Sequence, residues 1–115
     1  MKKSLLLAAL LLSSAAQAET WVCSEPLSDG SSFLHTLVRQ DTGFSQQITG
    51  SGFTSKLYPH EILVETDTML TLAEIDPEGT EINIFMINKI TNEFVSDAVV
   101  LVGNRSKAQG SCVKI

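Results

Sequence analysis

The chain has 115 residues, of which 43% are hydrophobic and 18% charged, and its formal net charge is −5. This length suits one domain with a single core. The negative charge disfavours nucleic acid and anionic lipid surfaces as partners.

The first eighteen residues have the three parts of an export signal. Met1-Lys2-Lys3 is a basic start, Leu5–Leu12 is an apolar run of eight, and Ala16-Gln17-Ala18 has the A-x-A form of a cleavage site. A membrane-spanning helix needs about 20 apolar residues, so this run is too short to anchor the chain. We predict cleavage after Ala18 (signal peptide 1–18), which leaves a single β-domain, 19–115, in the periplasm or outside a bacterial cell.

Cleavage changes the charge of the chain. Loss of Lys2 and Lys3 leaves six basic against thirteen acidic residues, a net charge of −7. Negative charge of this size attracts cationic partners toward the protein. Solubility alone also accounts for such a charge.

The mature chain contains two cysteines, Cys23 and Cys112. In an oxidising compartment two cysteines most simply form one disulfide. In the chain-entropy model, closing a loop of about ninety residues stabilises the fold by roughly 4 to 5 kcal/mol. Cysteines tied up in this way are unavailable for redox or zinc chemistry, and no C-x-x-C motif occurs.

The mature chain has the composition and spacing of a β-protein. Val, Ile, Thr and Phe are frequent, and turn residues recur at short intervals. The clearest turn is Asp76-Pro77-Glu78-Gly79, where proline and glycine supply hairpin angles. Pro59–Thr68 also fits the start of a helix, although its β-branched residues favour a strand. We predict about eight strands. They fall within nine segments: Trp21–Ser24, Ser32–Gln40, Phe44–Thr49, Phe53–Tyr58, Glu61–Thr66, Met69–Ile75, Thr80–Lys89, Phe94–Val102 and Ala108–Ile115.

The cysteines restrict how these strands are arranged. Cys23 lies in the first predicted strand and Cys112 in the last, and a disulfide requires their Cα atoms to lie within about 7 Å. A closed up-and-down barrel of antiparallel strands places its first and last strands side by side and removes both exposed edges. We therefore predict an all-β fold, a small closed barrel, with a two-layer β-sandwich as the alternative.

Neither histidine has a catalytic partner in the local sequence. His35 alternates with Phe33 and Leu37 and is expected to point inward, whereas His60 follows Tyr58-Pro59 in a predicted loop. A general base needs a partner within hydrogen-bond reach, and no G-x-S-x-G motif surrounds any serine. We predict no catalytic residues, no cofactor and no bound metal, and hence that the protein is not an enzyme.

Two segments are candidate binding loops. The stretch from Glu74 to Glu81 is the densest run of acidic residues, and its spacing does not match the EF-hand calcium loop. It fits either a solvated hairpin tip or a surface that meets a cationic protein. The segment around Tyr58 combines aromatic and polar residues, as interfaces do. The candidate binding residues are Asp76, Glu78, Glu81, Tyr58 and His60.

The two ends of the mature chain carry a resemblance. With an export signal, Trp21-Val22-Cys23 at the start and Gly110-Ser111-Cys112 at the end, the chain resembles small disulfide-tied periplasmic proteins of Gram-negative bacteria, most without an assigned function. Its general plan is also similar to the periplasmic lysozyme inhibitors, which are small disulfide-tied β-barrels. Ser51-Gly52-Phe53 is only a fragment of that family's Ser-Gly-rich loop, so no inhibitory residues are assigned.

The sequence thus predicts a monomeric, exported, non-catalytic binding protein that engages a cationic protein, such as lysozyme, through acidic loops. Two alternatives stay open: a carrier of a small apolar ligand inside the barrel, and an envelope protein with a structural role.

Overall fold

The computed structural model describes residues 18–75, 81–100 and 106–115. The predicted signal sequence up to Gln17 and the predicted turn Asp76-Pro77-Glu78-Gly79 lie outside these ranges. Within them the chain forms no helix that is long and apolar enough to cross a lipid bilayer. The strands are β1 (Thr20–Pro26), β2 (Ser32–Gln40), β3 (Gly43–Gly50), β4 (Phe53–Thr54), β5 (Tyr58–Glu65), β6 (Met69–Ile75), β7 (Glu81–Asn88), β8 (Glu93–Val100) and β9 (Ser106–Lys114).

Eight of these strands close into an antiparallel up-and-down barrel, which confirms the predicted fold. Each long strand pairs with the next one along the chain, and β9 pairs with β1. β4 is a two-residue addition to the end of β3 and takes no part in closure. The predicted linkage of the first and last strands is also confirmed, because Cys23 and Cys112 are directly opposed and form a disulfide with their Cα atoms 3.9 Å apart.

The region between β3 and β5 differs from the sequence prediction. Of the predicted strand Phe53–Tyr58, only Phe53–Thr54 forms β4, because Ser55 then takes both backbone groups of Ile48, and Tyr58 pairs as the first residue of β5. Its amide donates to the Ile48 carbonyl oxygen at 2.8 Å, and its hydroxyl accepts from the Ile48 amide at 2.8 Å. β5 then begins at Tyr58, three residues earlier than predicted, and Pro59–Thr68 does not start a helix.

Alternation along the strands fills the barrel. Inward side chains alternate with outward ones, as the pattern of β2 predicted for His35 and Leu37. An eight-stranded barrel has an interior just wide enough for side chains to fill. The buried core cluster is made of Trp21, Cys23, Leu37, Phe44, Leu70, Leu72, Phe85, Ile87, Phe94 and Cys112.

We call the two ends of the barrel the mouth and the base. The mouth is the end at which β1 finishes and β7 begins, and the base is the opposite end, at which β1 begins. At the base, Arg39 of β2 donates hydrogen bonds to Glu19 and to Glu65 of β5. The indole Nε1 of Trp21 also donates to Glu19, at 2.7 Å. Burial raises the pKa of Glu19, but the hydrogen bonds from Trp21 and Arg39 outweigh it and hold the pKa below 4.5.

The seam between β1 and β9 depends on a close approach of the two backbones. A Cβ atom on Gly110 would collide with the backbone carbonyl of Ser24 and lie 2.9 Å from a ring carbon of Phe94. Glycine is therefore required at this position for the two strands to pair.

Removing the disulfide is expected to destabilise the barrel strongly. The Cys23→Ala/Cys112→Ala variant should lose about 2 to 5 kcal/mol of unfolding free energy, since the bridge joins residues 89 apart in the chain. Urea unfolding, followed through the fluorescence of the buried Trp21, measures the loss. Wild-type protein reduced with dithiothreitol is the control, because it loses the bridge but keeps both cysteine side chains. An unchanged unfolding midpoint in both samples would contradict the expectation.

Gly110→Ala should cost about 1 to 3 kcal/mol, because the new methyl group meets the backbone of β1. The matched control is Gly50→Ala, whose Cβ would meet only the movable ring of Phe33. The same urea titration compares them. If Gly110→Ala and Gly50→Ala lose equal unfolding free energy, close packing at the seam does not explain the need for glycine at position 110.

Candidate functional site

The three predicted site residues that the structure describes, Tyr58, His60 and Glu81, do not form one site. Tyr58 begins β5, with the Lys56 ammonium 5.5 Å from its ring centroid. Glu81 is exposed and begins β7 at the mouth. Asp76 and Glu78 lie outside the described residues. The loop placement of His60 is wrong: it lies within β5 and is only 3% exposed.

His60 is a buried ring with one free nitrogen. Its Nδ1 donates to the Tyr58 carbonyl oxygen at 3.1 Å, whereas its Nε2 is buried without a hydrogen-bond partner. Burial disfavours the charged ring and lowers the pKa of His60, against the smaller opposing effect of the Tyr58 hydrogen bond. These features fit a neutral core histidine rather than a binding residue.

A cavity of about 430 Å³ at the mouth brings together residues of seven strands. It contains Glu81, but neither Tyr58 nor His60 lines it. Its apolar wall is formed by Phe33, Ile48, Phe53, Ala98 and Ala108, and its polar side by Glu25, His35, Glu81, Asn83 and Ser96.

His35 is held at the floor of this cavity by hydrogen bonds at both ring nitrogens. The side-chain amide of Gln46 hydrogen-bonds Nδ1 at 2.8 Å. The other ring nitrogen, Nε2, donates to Oε1 of Glu25 at 2.9 Å. His35 is 6% exposed and Gln46 1%, so the two side chains form a rigid support for the Glu25 carboxylate.

The ring of His35 rests on two stacked phenylalanines. Phe85 and Phe94 have centroids 4.9 Å apart and an interplanar angle of 5°. The His35 centroid lies 5.8 Å from Phe85 and 5.5 Å from Phe94. This aromatic pair belongs to the packed core, so the cavity ends at His35 and the barrel below it is filled.

The polar side of the cavity offers mainly hydrogen-bond acceptors. Ser96 Oγ donates to Asn83 Oδ1 at 3.0 Å. In the described part of the chain, Glu25 has no hydrogen-bond partner besides His35, so its second oxygen stays available. Glu81 adds a second carboxylate. No lysine or arginine stands among the described residues that line the cavity.

This arrangement suits binding better than acid–base catalysis. A histidine that activates a nucleophile needs one ring nitrogen within reach of it, but both nitrogens of His35 are engaged by Gln46 and Glu25. Within the described ranges, no three His, Cys, Asp or Glu side chains are grouped so that they could hold a metal ion.

The sequence indicated an inward His35 but not its partners, Glu25 and Gln46, which lie on the strands to either side of β2. The turn residues Asp29-Gly30 between β1 and β2 are a signal that could have placed Glu25 near His35. No local pattern marks Gln46.

Comparison with family models, with curated proteins and with solved structures finds no match to this chain. The function is therefore inferred from the mouth of the barrel.

The buried His60 predicts a dependence of stability on pH. Its pKa in the folded state lies below the ordinary 6.5, so the unfolded chain takes up the proton more readily as the pH falls. The stability that the fold gains by keeping the His60 ring neutral is complete above about pH 6.5 and is lost as the pH falls below that value. In His60→Leu, the difference in unfolding free energy between pH 7 and pH 5 should shrink by up to about 1 kcal/mol.

Urea titrations at the two pH values measure this difference. The wild-type protein, which keeps the same acidic residues and His35, is the reference for every other titrating group. An identical pH difference in His60→Leu and wild type would show that the ring does not titrate as its burial implies.

Proposed function

We propose that the protein is an exported, non-catalytic binding protein that engages a cationic protein through the mouth of its barrel. The observation that carries the proposal is the mouth cavity, which has the carboxylates of Glu25 and Glu81 and no lysine or arginine among the described residues of its lining. Opposite charges at an interface steer encounter and suppress wrong partners.

The net charge of the whole chain also favours a cationic partner. A mature chain of 19–115 has a net charge of −7. At the base, the cation of Arg39 is engaged by Glu19 and Glu65, whereas the carboxylates at the mouth have no such cation among the described residues that surround the cavity. A basic partner is thus attracted from a distance and meets uncompensated negative charge at the mouth.

The disulfide and the predicted export signal support an exported location. The Cys23–Cys112 disulfide is consistent with an oxidising, exported location. With residues 1–18 read as a signal peptide, we place the mature protein in the periplasm or outside a bacterial cell, where lysozyme is one basic protein that it would meet.

The filled interior favours this proposal over a carrier of an apolar ligand. Phe85, Phe94 and the surrounding aliphatic side chains occupy the barrel below His35. The remaining cavity has the carboxylates of Glu25 and Glu81 in its lining, and burying an unpaired carboxylate against an apolar ligand is costly.

Affinity capture tests the proposal. Oxidised mature protein is immobilised and exposed to bacterial envelope extract, to host fluid and to purified lysozyme, at low and at about 0.5 M salt. We expect basic proteins to be retained at low salt and released at high salt, because exposed charge pairs are screened over about a Debye length.

Variants on the same surface sharpen this test. Glu81→Gln should weaken retention of a basic partner by about two- to threefold, the effect of one exposed charge. Glu61→Gln removes the same charge from the outer, exposed side of β5 and should change retention less. Failure to retain any basic protein at low salt would overturn the proposal.

A further inference from the structure

We propose that the mouth cavity is a receptor for a single cationic side chain, an alkyl-ammonium or alkyl-guanidinium group. The head group would lie against the carboxylates of Glu25 and Glu81, and its aliphatic stem against Phe33 and Phe53. The inference rests on the proposed function, in which a protein partner supplies that side chain.

The first support is the state of the Glu25 carboxylate. Gln46 and Glu25 hydrogen-bond the two ring nitrogens of His35, at 2.8 Å and 2.9 Å. His35 therefore orients one oxygen of the Glu25 carboxylate. One carboxylate oxygen is engaged, and the other has no described partner and can accept from a ligand.

The second support is a pair of phenylalanines beside the acidic residues, since Phe33 pairs directly with Glu25 across β1 and β2. Phe33 and Phe53 have ring centroids 6.4 Å apart with planes tilted by 57°. Phe33 lies directly over Gly50, where a Cβ atom would be only 2.5 Å from two of its ring carbons, so glycine allows the ring to lie against the β3 backbone. Phe53 is 51% exposed although it is a large apolar side chain.

Together the carboxylates and the phenylalanine rings match the charged head group and the aliphatic stem of a lysine or arginine side chain. Such side chains bury their methylene stems against apolar surface while the charged head stays among polar groups. Phenylalanine faces also attract cations. A cavity of about 430 Å³ that ends at a rigid His35 floor admits one such side chain but not a folded segment of protein.

The outer face of β7 and β8 supplies no comparable argument. Ile82, Met86, Val95 and Val99 are exposed there, but nothing in the described part of the structure shows what would cover them.

The experiment is an NMR titration of ¹⁵N-labelled, oxidised mature protein. The probes are Nα-acetyl-lysine methylamide and Nα-acetyl-arginine methylamide, with Nα-acetyl-norleucine methylamide as the isostere that lacks the charge. We expect saturable shifts of the side-chain amides of Asn83 and Gln46 with the cationic probes, at a Kd of about 1 mM. The norleucine probe should bind at least about tenfold more weakly.

Variants identify the group that recognises the cation. Glu25→Gln keeps an acceptor for His35 and should raise the Kd of the cationic probes by about tenfold. Glu81→Gln, on an exposed position, should raise it by about threefold. Glu61→Gln, which removes one charge outside the cavity, should leave it within about twofold. Circular dichroism and thermal unfolding of each variant verify the fold.

Two results would overturn the receptor: equal affinity for norleucine and the cationic probes, or an equal effect of Glu25→Gln and Glu61→Gln. The proposed function has a separate readout in the capture of basic proteins. If a basic protein is captured and Glu25→Gln does not weaken it, the function stands and the receptor fails. If the cationic probes bind at the mouth while no basic protein is captured, the receptor stands and the function fails.

Discussion

The pairing of β1 with β9 is the constraint on which the rest of the molecule depends. Without it the chain would be an open meander with two exposed edges, and its core residues would have no opposite wall to pack against. The Cys23–Cys112 disulfide lies within this seam, and Gly110 allows the backbones to approach. Closure therefore combines a covalent bond, backbone hydrogen bonds and the packing of Trp21 and Phe94 in one place.

The seam also positions the candidate site. Glu25 follows Cys23 by two residues on β1, so both side chains point into the barrel. The disulfide holds β1 in place, and the next inward residue of that strand reaches His35 on β2. The disulfide in the core thus supports the orientation of the Glu25 carboxylate at the mouth. The stability of the barrel and the proposed recognition of a partner are linked through β1.

The two histidines show how the same residue type serves different purposes in one barrel. His60 is buried with an unpartnered nitrogen, and desolvation lowers its pKa. His35 is also buried, but both of its nitrogens are hydrogen-bonded, so its ring orients neighbouring groups. What separates them is the supply of partners from adjacent strands, which is a property of strand register and not of the residue itself.

Much of the fold could be predicted from the sequence because its signals are local or covalent. Alternation in Ser32–Gln40, regular turns and two cysteines near the ends of the mature chain were sufficient to predict a closed barrel with linked first and last strands. The short β4 and the early start of β5 were missed, because Ser55 ends the pairing through hydrogen bonds to Ile48. The mouth site was missed in the same way: only Glu81 of its lining was selected as a binding residue. Glu25, His35 and Gln46 come from three neighbouring strands, and only strand register decides that the ring nitrogens of His35 lie within 3 Å of Glu25 and of Gln46.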